Sequence, residues 1–169
     1  MNLRNEILKE HSKAQCKKIE NWVGDNQQRF DELFYLFLHD EYRVVQRAAW
    51  PLSSSVIKNP VLIKKHFTKL IRNLSKPGIH GSVKRNTIRL LQFVHIPEKH
   101  HGEVMNICFN YISSPDEEVA VKAFSLTVLQ NLARQYPEIK NELKLIIEEQ
   151  WNFETAAFRS RAKKILKEI

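Results

Sequence analysis

The sequence predicts an all-α fold, a stack of about four helical hairpins preceded by one N-terminal capping helix. Three observations predict it. Helical periodicity runs through almost the whole chain, its breaks are short, and two sequence markers recur every 36 to 40 residues. A chain of 169 residues suits a single domain, and 4 glycines and 6 prolines are too few turn residues for an all-β fold.

The breaks divide the chain into nine helices. The first, over about residues 3–23, has a narrow apolar stripe and several lysines, as the solvent-facing end of a stack requires. The other helices pair into hairpins at about residues 26–59, 60–96, 97–136 and 137–169, so that residues 1–24 form the cap and residues 1–169 one domain. Short connections favour antiparallel neighbours.

A repeated pattern marks the second helix of every hairpin: an apolar residue, a small residue four positions later, and an apolar residue or threonine after four more. Its four copies are Val44, Ala48 and Leu52; Val83, Thr87 and Leu91; Val119, Ala123 and Thr127; and Phe158, Ala162 and Leu166. The first members are 39, 36 and 39 residues apart. The small central residue predicts that the next hairpin approaches closely.

Proline marks the first helices at the same period. Pro60, Pro97 and Pro137 are 37 and 40 residues apart, and each opens a helix at a position where proline loses no hydrogen bond. Together with the aspartate that precedes two of the second helices, Asp40 and Asp116, these markers resemble HEAT repeats over residues 26–169.

The HEAT resemblance implies an armadillo-like, right-handed α-solenoid in which the second helices line a concave face. Two hairpins depart from the family pattern, since residues 78–81 replace the turn aspartate in the second and Phe158 replaces valine in the fourth. The last hairpins also resemble those of short bacterial HEAT-type proteins, some of which carry an adenylosuccinate-lyase label. We do not expect that activity, because the chain has neither the length nor the SSxMPxKxN loop of those lyases.

Positive charge is concentrated in the second hairpin. The net charge is +8, and no aspartate or glutamate occurs from Tyr42 through Pro97, where 11 lysines and arginines lie. Solvent-exposed helices normally carry both acidic and basic side chains, because like charges one turn apart are destabilising. The imbalance predicts an anionic partner: an acidic protein or peptide, nucleic acid, or a phosphorylated ligand.

Helix geometry locates a candidate binding surface. Residues three and six positions after the first member of each repeat copy point away from the predicted buried stripe. These positions hold Arg47, Trp50, Asn86, Arg89, Lys122, Ser125, Arg161 and Lys164. By the resemblance they line the concave groove, and the predicted binding residues are Arg47, Trp50, Arg85, Asn86, Arg89, Lys122, Arg161 and Lys164. Two readings of Trp50 stay open: an exposed binding anchor, or a ring that a kink at Pro51 turns into the core.

The leading interpretation is a non-enzymatic binding module whose basic concave groove receives an acidic partner, most simply a protein. The alternative is nucleic-acid binding, since HEAT-like stacks include glycosylases that remove alkylated bases with a basic, aromatic concave face and a catalytic aspartate. Trp50, Arg47 and the basic groove resemble that group. The basic stretch has no aspartate for the chemistry, so glycosylase activity is not expected.

A second candidate is an anion site at the start of the helix near residue 80. His80, Gly81, Ser82 and Lys84 combine a permissive glycine, a cation and helix N-terminal N–H groups, which attract phosphate. The other reading is that His80 or Ser82 caps the helix.

Catalytic, metal and cofactor sites are not expected. The chain lacks the phosphate-loop, dinucleotide, nucleophile-elbow and HExxH motifs. His100 and Glu103 are three residues apart, but two ligands are not a metal site, and surface imidazoles are the simpler reading. The oligomeric state stays open, because Trp151 and Phe153 near a terminal turn offer a patch for self-association.

The sequence also predicts a cytoplasmic protein that does not cross membranes. The longest apolar run, residues 33–38, has six residues, whereas a span needs about 20. Charged residues occupy the N-terminus where a signal peptide would be apolar, and neither cysteine belongs to a CxxC motif.

Overall fold

The computed structural model describes residues Met1–Ile169 and confirms the all-α fold, with ten α-helices and no strand. The helices are α1 Leu3–Lys9, α2 Lys13–Val23, α3 Gln27–His39, α4 Tyr42–Lys58, α5 Phe67–Leu74, α6 Gly81–Leu91, α7 His101–Ser113, α8 Val119–Ala133, α9 Ile139–Gln150 and α10 Ala156–Leu166. Two 3-10 helices, Pro60–His66 and Glu98–His100, lead into α5 and α7. The chain forms two compact units, an N-terminal unit (Met1–His95) and a C-terminal unit (Ile96–Ile169).

The predicted single N-terminal helix is wrong, because α1 and α2 replace it. Glu10 has an extended backbone, which ends α1, and Ser12 begins α2 by accepting a hydrogen bond from the Gln15 N–H at 3.0 Å. Serine is a favoured residue at this capping position. The chain therefore has ten α-helices instead of nine, and its N-terminal segment is itself a pair of short helices.

The core of the N-terminal unit is built around α4, which packs against α1, α2, α3 and α6. The first repeat copy on α4 is fully buried, with Val44 and Ala48 at 0% exposure, and the second copy on α6 is buried equally well. α4 continues as one helix through Pro51. Ala48 thus lies on the most surrounded helix of this unit, where a small side chain leaves room for its neighbours.

Polar contacts attach α1 to the α3–α4 hairpin. The Arg4 guanidinium donates to both carboxylate oxygens of Asp40 at 3.0–3.2 Å, and this pairing lowers the pKa of Asp40. Arg47 Nη1 donates to the carbonyl oxygen of Leu8 at 2.7 Å, near the C-terminal end of α1 where carbonyls lack helical partners.

In the C-terminal unit, α8 packs against α7, α9 and α10, and its buried residues correct the third repeat copy. Val119 is 37% exposed and Ala123 half-buried, whereas Val121, Ser125 and Leu129 are all at 0%. These three residues have the same spacing of four. The pattern on α8 therefore begins at Val121, and the steps between first members become 39, 38 and 37 residues.

We predict that enlarging Ala48 destabilises the protein. Ala48→Leu adds three carbon atoms where the side chain has no exposed surface, so the free energy of unfolding should fall by about 1–3 kcal/mol. Urea denaturation followed by circular dichroism measures it. Ala14→Leu, on the exposed side of α2, is the control and should change stability little; equal losses in both variants would contradict close packing at Ala48.

Two carboxylates of the N-terminal unit are held by cations. Glu6 accepts hydrogen bonds from Lys18, Lys9 and Gln15, which lower its pKa to about 2. Burial of Asp31 opposes its ionisation, but bonds from Lys65 at 2.5 Å, from His66 at 2.6 Å and from Gln27 outweigh it and lower the pKa to about 2. The bonds from Lys65 and His66 link α3 to the 3-10 helix Pro60–His66.

We therefore predict acid sensitivity with a defined sign. The pKa of Asp31 is lower in the folded state than its ordinary value of 3.8, so its stabilising contribution is present above that value and disappears as the pH falls towards 2. In urea titrations, the stability difference between wild type and Asp31→Asn should be largest near neutral pH and shrink in acid. A difference that stays constant with pH would contradict the prediction.

Candidate functional site: a basic groove between α2, α4 and α6

Three helices of the N-terminal unit enclose a surface groove of about 390 Å³. Its lining comprises Lys13, Cys16, Lys17 and Glu20 from α2, Trp50 and Ser54 from α4, and Arg89 from α6. We call it the α2/α4/α6 groove. Three of its seven side chains are cationic and one is a large aromatic ring, so the groove combines charge with apolar surface.

The repeat places two of these side chains together. Trp50 and Arg89 each lie six positions after the first member of their repeat copy, on α4 and α6. Because α4 and α6 pack against each other, equivalent positions become neighbours. Lys13 and Lys17 are one turn apart on α2, which closes the groove from the other side.

The groove holds an excess of positive charge. Glu20 is its one carboxylate and accepts from Lys17 at 2.7 Å, with Lys58 at 3.5 Å. Lys13 and the guanidinium of Arg89 form no hydrogen bond or ion pair in the structure. Two cations are thus available to an incoming anion.

Cys16 lies in the wall of the groove. Burial raises the pKa of its thiol, against the opposing effects of a hydrogen bond to Ser54 Oγ at 3.9 Å and of the nearby charges of Arg89 and Lys17. A thiol with a raised pKa is a weak nucleophile at neutral pH. The residue therefore contributes packing and shape to the groove.

Trp50 is neither the fully exposed anchor nor the core residue that the sequence left open, but lies between these alternatives. Its ring is half-buried and meets His11 edge to face, with 5.7 Å between ring centroids, while part of it lines the groove. The segment between α1 and α2 covers one side of the indole. The remaining surface is available as an apolar anchor.

Several residues assigned to the concave groove have other roles. Arg47 is occupied by the Leu8 carbonyl, and Asn86 is buried with its amide donating to the Ser82 carbonyl at 2.9 Å. Lys122 is 3% exposed and forms an ion pair with Glu154. Asn86 was expected to face outward but is buried, because residues on most sides of α6 are buried. Lys122 was also expected to face outward but is buried, because the repeat pattern on α8 begins two residues later than predicted.

The remaining predicted groove residues do not share one environment. Arg161 is half-buried and donates to Thr127 Oγ1 at 2.6 Å, and Lys164 is exposed. Arg85 is half-buried and has an interaction partner of its own. Other cations of the acid-free stretch, Lys69 and Arg72, lie exposed on α5, which does not line the groove. Within the N-terminal unit, the positive charge is therefore divided between the groove and the exposed side of α5.

The anion site near residue 80 is a capped helix end. His80 Nδ1 accepts from the Ser82 N–H at 2.9 Å, and the His80 carbonyl accepts from the N–H groups of Val83 and Lys84. The Ser82 hydroxyl donates to the Gln46 carbonyl. The N–H groups of Ser82, Val83 and Lys84 and the Ser82 hydroxyl are bonded within the protein, so the helix end at His80, Gly81, Ser82 and Lys84 is a cap, the second of the two sequence readings.

The two histidines at the start of α7 are buried, which corrects their reading as surface imidazoles. His100 is 5% exposed with Nδ1 at 3.7 Å from Glu103. His101 is bonded to the Tyr136 hydroxyl at 2.9 Å and to the Ile96 carbonyl at 2.7 Å. No group of three or more potential metal ligands occurs in the structure.

Sequence reasoning missed Lys13 and Lys17 as groove residues. It placed them on the outer face of a single capping helix, and only the separate packing of α2 on α4 turns them towards Trp50. Ser12, a capping residue inside the supposed helix, was the signal that could have revealed the break.

A comparison with known protein families settles the architecture. The HEAT repeat domain matches residues 3–169, which is nearly the whole chain. The chain belongs to the HEAT repeat domain family. Proteins of this family are generally non-enzymatic helical scaffolds for protein interaction. No curated protein and no solved structure matches the chain, and none of its helices combines the length and apolarity needed to cross a bilayer.

We predict that the groove concentrates anions at Trp50. In a Trp22→Phe, Trp151→Phe background, iodide should quench Trp50 fluorescence more strongly than caesium, because Lys13, Lys17 and Arg89 attract anions. Arg89→Glu should reduce this preference. The matched control is Arg72→Glu, which makes the same change on exposed α5 outside the groove; equal quenching by both ions in the parent would contradict the prediction.

Proposed function

We propose that this HEAT repeat domain binds an acidic protein segment in the α2/α4/α6 groove. The observation that carries the proposal is the convergence of Lys13 and Arg89, two cations without partners, beside the half-exposed ring of Trp50. Carboxylates of a partner would pair with the cations, and an apolar side chain would pack on the indole.

The charge distribution supports an acidic partner. The N-terminal unit has 17 lysines and arginines against 8 acidic residues, whereas the C-terminal unit has 10 against 11. Charge concentrated on one unit steers an anionic segment towards it and raises the association rate. The cations Lys69 and Arg72 on α5 add to this field without lining the groove.

The groove suits a ligand that arrives without large rearrangement of the domain. α4 is held by four neighbouring helices, and α2 is fixed to it by the packing of Cys16 and Ile19, both nearly fully buried. A preformed site loses little conformational entropy on binding. Binding through shape and charge, without a chemical step, is the function that these residues support best. The cytoplasmic location of the protein stays a prediction.

Nucleic-acid binding is the second candidate. Trp50 beside Arg89 offers a stacking surface next to a cation, a combination that recognises bases and phosphates as well as acidic peptides. The single groove carboxylate, Glu20, is held by Lys17 and Lys58. Base-excision chemistry therefore gains no support from this groove, and the proposal favours protein.

We predict that a fluorescein-labelled, glutamate-rich peptide containing one leucine binds the protein saturably. Arg89→Glu and Lys13→Glu should each weaken binding about tenfold or more, because a partner carboxylate then meets a like charge. Fluorescence anisotropy measures the affinity. Raising the salt from about 0.01 M to about 1 M shortens the Debye length from about 30 to about 3 Å and should weaken it further.

The control Arg72→Glu changes the net charge equally but lies outside the groove, so it should affect affinity much less. Equal weakening by Arg72→Glu and Arg89→Glu would reduce the effect to net charge and overturn the proposal. Duplex DNA is the second probe. Tighter binding of DNA than of the peptide, with a log–log salt slope near −0.9 per phosphate contact, would instead favour the nucleic-acid candidate.

A further inference from the structure

A second cavity lies in the C-terminal unit, between the turn that joins α7 to α8 and the turn that joins α9 to α10. Its volume is about 410 Å³. The side chains that matter here are Glu117, Val119, Lys122, Phe153 and Glu154. We call it the turn cavity. None of its lining residues belongs to the α2/α4/α6 groove.

Apolar surface is exposed at the rim of the turn cavity. Phe153 is 90% exposed and Val119 is 37% exposed. Phe153 stands out because an aromatic ring of this size is seldom left in water without a partner. Exposure of both residues on one cavity indicates a place where an apolar chain can pack.

A buried ion pair forms the deeper part of the turn cavity. Lys122 Nζ donates to Glu154 Oε1, and their side chains are only 4% and 8% exposed. The second oxygen, Glu154 Oε2, accepts no hydrogen bond, and Glu154 itself lines the cavity. Glu154 therefore keeps one carboxylate oxygen without a partner at the floor of the turn cavity.

Other partly buried carboxylates of this chain are held more completely. Glu6 pairs with Lys9 and Lys18, Glu20 with Lys17 and Lys58, and Asp31 with Lys65 and His66. In Glu6 and in Asp31, each of the two basic side chains contacts a different carboxylate oxygen. Glu154, by contrast, has a single cation, Lys122, which contacts Oε1.

We propose that the turn cavity binds a lysine or arginine side chain from a basic segment of a partner protein. The aliphatic stem of that side chain packs between Val119 and Phe153, and its cationic head donates to Glu154 Oε2. Long basic side chains bury their stems and keep their heads polar, which matches this combination of walls and floor. Phe153 also offers a ring face to the cation.

The charge around the turn cavity is complementary to such a segment. The cavity is lined by two carboxylates, Glu117 and Glu154, against one cation, Lys122, and Glu117 already has an interaction of its own. The negative end of α9 points at the same turn that holds Phe153 and Glu154, and its last turn contains no basic residue. The cavity thus differs in sign from the basic groove, which gives the scaffold a surface for a second, oppositely charged partner.

The test uses the full chain and a fluorescein-labelled peptide with one arginine between leucine and serine residues. Fluorescence anisotropy should show saturable binding. Phe153→Ala and Glu154→Gln should each weaken it about tenfold, and so should replacing the arginine of the peptide with neutral citrulline. Phe153→Ala keeps the test sound if Glu154→Gln fails to fold, because a side chain that is 90% exposed contributes little to the core.

Matched controls are Leu145→Ala and Glu142→Gln, exposed residues of α9 outside the cavity, which should leave the affinity unchanged. Arg89→Glu should not weaken the arginine peptide, which separates this site from the groove on the N-terminal unit. Equal binding of the citrulline peptide, or unchanged affinity in Phe153→Ala, would overturn the proposal. So would light scattering that shows dimerisation abolished by Phe153→Ala, since a second copy would then cover the surface.

Discussion

Close packing around Ala48 is the constraint on which the N-terminal unit depends. α4 is in contact with four other helices, and a side chain at its centre must be small for these helices to approach together. The same packing brings side chains of α2 and α6 together with Trp50 around one groove. The α2/α4/α6 groove is consequently a product of the core and not of a flexible loop.

The repeat made the fold predictable from sequence. Spacing of apolar and small residues predicted an all-α HEAT-like chain because these residues serve packing and recur with the packing unit. The prolines were a coarser marker, since Pro60 opens a 3-10 helix and α7 and α9 begin at His101 and Ile139, after Pro97 and Pro137. The register of the repeat pattern on α8 was harder to predict. Its sequence is apolar around most of the helix, so copies beginning at Val119 and at Val121 satisfy the same pattern, and only contacts with α7 and α10 decide between them.

The candidate site was only partly predictable for a related reason. Trp50 and Arg89 were found because they occupy the same repeat position on α4 and α6, which the period encodes. Lys13 was missed, because α1 and α2 lie outside the resemblance and a break in a charged helix leaves little trace in the apolar pattern. Lys122 was misassigned by the register error, so a residue expected at a binding surface is in fact the partner of Glu154.

Glu20 gives the groove a property that its cations alone would not have. Because its carboxylate already holds Lys17 and lies near Lys58, the domain carries an internal competitor for any acid that enters. An isolated carboxylate gains little by displacing it, since one ion pair is exchanged for another. Under the proposed function, a segment with several acidic residues would leave that pair intact and engage Lys13 and Arg89 instead, so its affinity would depend on the number and spacing of its charges.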